Sequence, residues 1–247
     1  MNMAFFKITY NDKYRFATLH NYGCTFHCNV CSYKLRSGAD GVPGLSFPRP
    51  DKFLTVPEMK EALLSVPLHK VYFMGGEPTI SNDLLEMLDF AKNGLGVRTY
   101  LGHTNGSRLP LRNLDGANVG IKAWNEDVHM QYTGKPKNLI FHNFEAAVLA
   151  GMEMRANTVF IPGLVDVDQL ETIASWLAGL NPNIPFHIMG YIPVPGQPYE
   201  RPTDEQMTIA TEACKKHLRN VAVSHLTSEE ALDLTARDDR FAVRTIA

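Results

Sequence analysis

Three of the four cysteines fall within eight residues, as Cys24-x3-Cys28-x2-Cys31. Thiolates hold iron–sulfur clusters, and a cubane of four irons normally takes four of them. Three protein thiolates leave one iron open, and an open metal position can bind a small molecule. The same three cysteines with His20 or His27 could instead ligate zinc. A loop in which they meet by chance is the third reading. The remaining thiol, Cys214, sits alone in a helical pattern and reads as a packed or surface residue.

These residues need a scaffold. Phe16 to His20 reads as a strand running into the cysteine loop, with Gly23 allowing a sharp turn. His69 to Met74 reads as a second strand, ending in Gly75-Gly76-Glu77-Pro78. Paired glycines let backbone approach a ligand closely. Further strands are expected at 97–101, 118–123, 157–161 and 184–189, the last interrupted by Pro185. Another at 221–225 is left out of the count. Helices are expected after a Thr55–Glu58 capping box, after Ser81 with Leu84, Leu85, Leu88 and Ala91 on one face, over 143–151, after an Asp166–Gln169 capping pair, and over 203–218. Six strands alternating with helices predict an α/β fold: an open, partial (β/α)6 TIM-like barrel. In such folds the site lies at the carboxyl ends of the strands. The cysteines, Gly75–Pro78, His103–Gly106, Lys122 and His187 all fall at or after expected strand ends. The Gly- and Pro-rich stretch 32–53, carrying Lys34, Arg36 and Arg49, is long enough to be a functional loop.

The 247 residues are 45% apolar and 20% charged, with net charge −2. That suits one domain, residues 1–247, with its core over about 16–226 and a less regular tail over 227–247. The charge gives no bulk attraction to nucleic acid or anionic membrane. No window of about 18 uncharged apolar residues predicts a membrane span. The first seven residues lack the pattern of a signal peptide. A reducing, cytoplasmic setting is expected, since the cysteines do not look like a disulfide framework.

The cysteine spacing after a first strand resembles the signature of the radical S-adenosylmethionine (SAM) enzymes. That resemblance implies a [4Fe–4S] cluster on Cys24, Cys28 and Cys31, with SAM chelating the open iron. It implies one-electron cleavage of SAM to a 5′-deoxyadenosyl radical that abstracts hydrogen, and oxygen sensitivity. Gly75, Gly76 and Glu77 resemble the family's Gly-Gly-Glu segment, which binds the SAM amino group. Thr104-Asn105-Gly106, Val119-Gly-Ile-Lys122 with Asp127-x-His129, Val159–Asp166 and Pro185-Phe-His187 resemble segments of the glycyl-radical-enzyme activases. The resemblance implies that Thr104, Asn105, Lys122 and His187 surround SAM, with Lys122 also acting in catalysis. The partner it implies is a glycyl radical enzyme, and the electron donor reduced flavodoxin or ferredoxin. Where the activases carry two aspartates beside a monovalent cation, this chain has His103 and Gly120. Lys122, with His103, is expected to replace that cation. The residue before the third cysteine is usually aromatic and here is Val30, so Phe26 or Tyr33 is expected to cover the adenine. The alternatives are the same chemistry on a small molecule, peptide or RNA, and a zinc-binding interaction module.

Overall fold

In the computed structural model, which describes residues 5–247 apart from 43, 46, 47 and 236, a hairpin opens the chain. Its strands are β1 (Phe5–Asn11) and β2 (Phe16–Asn21). Then come α1 (Lys34–Ser37), α2 (Val56–Leu64), β3 (Lys70–Met74), α3 (Leu84–Asp89), β4 (Arg98–Thr104) and β5 (Gly116–Gly120). Helices α4 (Glu126–Thr133) and α5 (Asn138–Leu149) lead to β6 (Glu153–Phe160). The chain finishes with α6 (Val167–Leu180), β7 (Phe186–Gly190), α7 (Asp204–Lys215), β8 (Val221–Ser224), α8 (Ser228–Leu232) and β9 (Arg244–Thr245). The first four residues, part of the stretch read above for a leader, and three positions of the Gly/Pro loop lie outside the described residues.

The sheet runs β8-β7-β6-β5-β4-β3-β2-β1-β9. From β2 to β8 each pair is parallel and in sequence order, while β1 and β9 are antiparallel. Nothing pairs β8 with β9, so the barrel is open. The strand left out of the expected count, β8, is real and makes a seventh parallel strand. It was weak in sequence because it is short and shows no alternation of burial, with the consecutive Ala222 and Val223 both exposed.

Burial alternates along the strands. Val71 and Phe73 of β3, Met154, Ala156 and Phe160 of β6, and Ile188 of β7 face the helices and are buried. Tyr72, Met74, Arg155 and His187 alternate with them and face the concave side. The core is one continuous apolar layer between sheet and helices.

The Thr55–Glu58 capping box forms as expected, and Thr203 with Gln206 makes another at the start of α7. The Asp166–Gln169 pair does not. The Asp166 carboxylate turns back to the Gly163 N–H at 3.0 Å, and Gln169 bonds Asn125 and Leu164 instead. In α3, Met87 rather than Leu85 joins Leu84, Leu88 and Ala91 inside, and Leu85 is exposed. At 100° per residue Leu85 lies a quarter-turn off that stripe. Helix α4 was hidden by its polar sequence. Asn125 caps its start, accepting from the Val128 N–H, and left-handed Gly134 ends it.

The tail is more ordered than its sequence suggested. Arg36 donates to the Leu232 carbonyl at 3.0 Å, and further on Ile8 and Ala247 share a backbone bond of 2.8 Å. Between these points the fully buried Asn11 donates to the carbonyls of Asp239 and Ala242 and accepts from the Tyr14 N–H. Asn11→Ala breaks all three bonds. The expected cost is about 2–3 kcal/mol, read by urea denaturation, with faster proteolysis in the tail. An unchanged midpoint would show that the tail does not brace the edge.

Candidate active site

The loop after β2 is built by its backbone. Gly23 has φ 110°, and the Asn21 side chain, 1% exposed, donates to the carbonyls of Gly23 (3.2 Å) and Glu77 (3.1 Å). Helix α4 holds the far side: the His27 N–H bonds the Thr133 carbonyl at 2.9 Å and the Asn29 N–H bonds that of Tyr132 at 3.3 Å. His129, tied to the Lys135 carbonyl at 2.7 Å, sets its ring edge-on against Phe26. His129 thereby ties α4 to the cysteine loop. Phe26 is buried against that ring, 3% exposed.

All three loop thiols are free, Cys28 buried and Cys24 and Cys31 partly exposed. Burial pushes Cys24 up to about 11 and Cys28 up to about 12, while the nearby Lys122 charge pulls the other way. Such thiols stay neutral at pH 7 until a metal takes them as thiolates. A tetrahedral zinc with 2.3 Å bonds needs its sulfurs about 3.8 Å apart. Among the described residues, no three His, Cys, Asp or Glu side chains converge on one ion in this way. His20 turns aside to the Thr9 hydroxyl at 2.9 Å, and His27 is exposed.

The turn after β3 packs directly on this loop. Gly76 has φ 52°, and a β-carbon there would lie 1.9 Å from the Gly23 carbonyl oxygen and 2.8 Å from that of Gly44. No side chain fits, so two backbones meet. The Glu77 N–H donates to the Gly23 carbonyl at 2.7 Å, and the Gly76 N–H to the Tyr33 hydroxyl at 2.9 Å. Tyr33 thereby fixes the turn through its hydroxyl. Glu77 is 0% exposed. Its carboxylate accepts from the Thr79 N–H and hydroxyl, the Thr104 hydroxyl and the Asn105 N–H. Burial raises its pKa and those donors oppose the rise. Glu77 and Thr104 thus join the loops after β3 and β4. Asn105 reaches back to Thr25 at 2.9 Å, with the Cys24 sulfur 3.9 Å away.

Lys122, two residues beyond β5, has no hydrogen bond or ion pair among the described residues. Its ammonium lies 2.8 Å from where a β-carbon on Gly120 would stand. It therefore occupies the space that a longer residue at 120 would fill, facing Cys24, Cys28 and His103. His103 is open to water but surrounded by protein. That surrounding, then Lys122 and His187, pushes its pKa down to about 4. Of the two groups expected to stand in for a cation, Lys122 carries the charge that lowers His103, which favours the neutral imidazole. His187 is the second residue of β7 rather than its last, opposite Asn157, so it faces the concave side below the loops.

The profile of the Radical SAM superfamily matches residues 18–177. The chain belongs to this superfamily. Its members use a [4Fe–4S] cluster and SAM, and the chain is a radical SAM enzyme. That membership sets aside the zinc-module reading. A Methanocaldococcus jannaschii protein, provisionally named as a glycyl-radical enzyme activating enzyme, is 30% identical over 230 residues. The match covers 88% of this chain and 82% of that one. A radical SAM methyltransferase from Sphaerobacter thermophilus superposes with TM-score 0.61 at 20% identity, over 84% of this chain and 66% of its own. A domain of pyruvate-formate lyase-activating enzyme from Bacteroides vulgatus gives 0.52 at 20% identity, over 62% and 98%. At such identities the solved structures speak for the fold alone.

Sequence reasoning missed Asn21, Thr25, Tyr33 as a turn-holder, and the concave-facing Tyr72 and Arg155. Strict alternation along β3 and β6 was the available signal for the last two. Among the described residues no helix is long and apolar enough to cross a membrane.

Proposed function

We propose that this enzyme cleaves SAM reductively and passes the radical to a hydrogen donor, with the whole chain acting as one domain. The observation that supports this most is the joining of the cysteine loop, the Gly75–Glu77 turn and Asn105 into one unit facing an unpaired Lys122. Cys24, Cys28 and Cys31 would hold the cluster, and Gly75 and Gly76 offer open backbone to the SAM amino group. With SAM bound, the cluster supplies one-electron chemistry that yields a 5′-deoxyadenosyl radical. Glu77 and Thr104 position the turn, Asn105 braces the Cys24 side of the loop, and His187 lines the wall beneath. Lys122 offers its charge to the SAM carboxylate in place of a metal cation.

A glycine of a partner enzyme is the hydrogen donor that the archaeal relative's name supports. A small-molecule donor is favoured by a different observation, the polar groups left unpartnered on the concave face. Reduced flavodoxin or ferredoxin would deliver the electron.

The test is anaerobic reconstitution with iron and sulfide, then reduction with SAM present and assay of 5′-deoxyadenosine. Product is expected at equal rates in buffers with and without potassium or sodium. No cluster absorbance, or no product, sinks the proposal. A strong requirement for a monovalent cation sinks the role given to Lys122.

A further inference from the structure

The concave face carries one polar contact that the proposed SAM chemistry does not use. Asn157 of β6 donates from its amide to the Asn118 oxygen of β5 at 2.9 Å. Asn157 is in register with Gly120 on one side and His187 on the other, and Asn118 stands two residues before Gly120. Residues two apart on a strand line one face, so both asparagines share the inward face with His187. On β4 the register slips beside this pair. Leu101 partners Ala117 and Thr104 partners Val119, so Gly102 and His103 together stand opposite Asn118. A bulge of this kind interrupts the ladder and re-aims side chains next to active sites.

Each asparagine has a carbonyl and an NH2 group, and the bond between them uses one of each. The Asn157 oxygen and the Asn118 NH2 group are left free among the described residues. Asn157 is only 2% exposed. Its oxygen is nevertheless open, because the buried unpartnered side-chain atoms among the described residues are those of Asn21, Asn29 and Thr158. That oxygen borders the hollow over Gly120: a β-carbon there would lie 3.4 Å from it and 2.8 Å from the Lys122 ammonium. The pair is therefore next to the charge offered to the SAM carboxylate. A nearly buried amide oxygen without a partner is uncommon in a folded protein.

One acceptor and one donor, side by side and uncharged, match a group that presents an N–H and a C=O on the same edge. A single trans peptide bond does not, since its N–H and C=O point opposite ways. One extended residue does, because antiparallel strands pair through the N–H and C=O of the same residue. A lactam or primary carboxamide of a small molecule does so too. Asn118, Gly120, Asn157 and His187 include no carboxylate that would draw an ammonium. Arg155, in register with Asn118, is exposed to water. We propose that the Asn118–Asn157 pair is a specificity element for the hydrogen donor, holding an amide N–H and C=O from one edge. This rests on the proposed SAM chemistry for its purpose but not for its binding. In an extended peptide the atom between that N–H and C=O is the α-carbon, so the two anchors fix the direction of its C–H bonds.

Saturation-transfer NMR on the cluster-loaded protein without SAM tests this with four probes. They are N-acetylglycine N-methylamide, its sarcosine analogue lacking the glycine N–H, 2-pyrrolidinone and acetate. Saturable binding of the glycine amide or the lactam is expected, with the sarcosine analogue about tenfold weaker. Tighter binding of the glycine amide assigns the donor to a peptide, and tighter binding of the lactam assigns it to a small molecule. Asn118→Asp keeps the oxygen that Asn157 bonds and removes only the free NH2 group. It should weaken amide binding about tenfold while melting temperature and SAM affinity match wild type. Asn118→Ala should lose at least as much amide affinity. No saturable amide binding, equal binding of the sarcosine analogue, tighter binding of acetate, or an Asn118→Asp protein that binds amides normally overturns the site. A parallel loss of SAM affinity in Asn118→Asp overturns it too, by giving the pair to SAM. Amide binding without 5′-deoxyadenosine in the assay above would keep the pair and reject the SAM chemistry, and the reverse would do the opposite.

Discussion

Cys28→Ala is expected to leave a folded protein with no iron–sulfur absorbance and 5′-deoxyadenosine at background, roughly 100-fold or more below wild type. Cys28 is the buried member of the three thiols, and its carbonyl accepts from the Cys31 N–H, which sets the spacing of the loop's second half. Its thiol is pushed up to about 12 by burial, which outweighs the opposing pull of the Lys122 charge. Only a metal makes the thiolate favourable, so removing the sulfur removes a ligand that nothing nearby replaces. His20 is engaged with Thr9 and His27 is exposed. The loop itself is held by α4 through backbone bonds that the substitution leaves intact. The stability cost should accordingly be small, about 1–2 kcal/mol. Cys214→Ala is the control. Cys214 is a buried residue of α7, and its variant should keep full iron content. A brown, active Cys28→Ala protein would move the cluster elsewhere.

The second large effect is expected from Gly76→Ala. A β-carbon there would stand 1.9 Å from a backbone oxygen, and a carbonyl cannot rotate away as a side chain tip can. The clash pushes the turn off the cysteine loop and breaks the Glu77-to-Gly23 bond of 2.7 Å. Misplacing a ligand-facing turn by about 1 Å costs on the order of 100-fold in rate. SAM affinity should fall with it, while iron content falls less. Gly96→Ala separates strain from collision. Gly96 has φ 67° with nothing within 4 Å of its β-carbon. It should cost only about 1 kcal/mol of left-handed strain and keep SAM affinity. If the two variants bind SAM alike, the close approach at Gly76 has no functional weight.

Much of this could be read from residue types and spacing. Three cysteines in eight positions and a Gly-Gly-Glu turn are local, so backbone chemistry and sulfur reactivity give them meaning before folding is known. The strand–helix alternation was legible too, because β3 and β6 carry period-two burial and α6 carries a helical stripe. Errors fell where a residue's role depended on something distant. β1 and β9 look unremarkable until they pair with each other, and α4 looks polar until Asn125 and Gly134 bound it. Asp166 looks like a cap until Gly163 claims its carboxylate.

The sequence by itself determined which groups could hold a cluster, which turns could admit a ligand, and that parallel strands would bring them to one end of a sheet. Only the tertiary structure decided which of those groups are free. Glu77 is spent on Thr79, Thr104 and Asn105, Phe26 on His129, and Tyr33 on Gly76, whereas Lys122 has no hydrogen bond or ion pair among the described residues. The reason is physical. Hydrogen bonds and charge pairs are made across strands far apart in the chain, and the curvature of the open sheet sets which side chains meet.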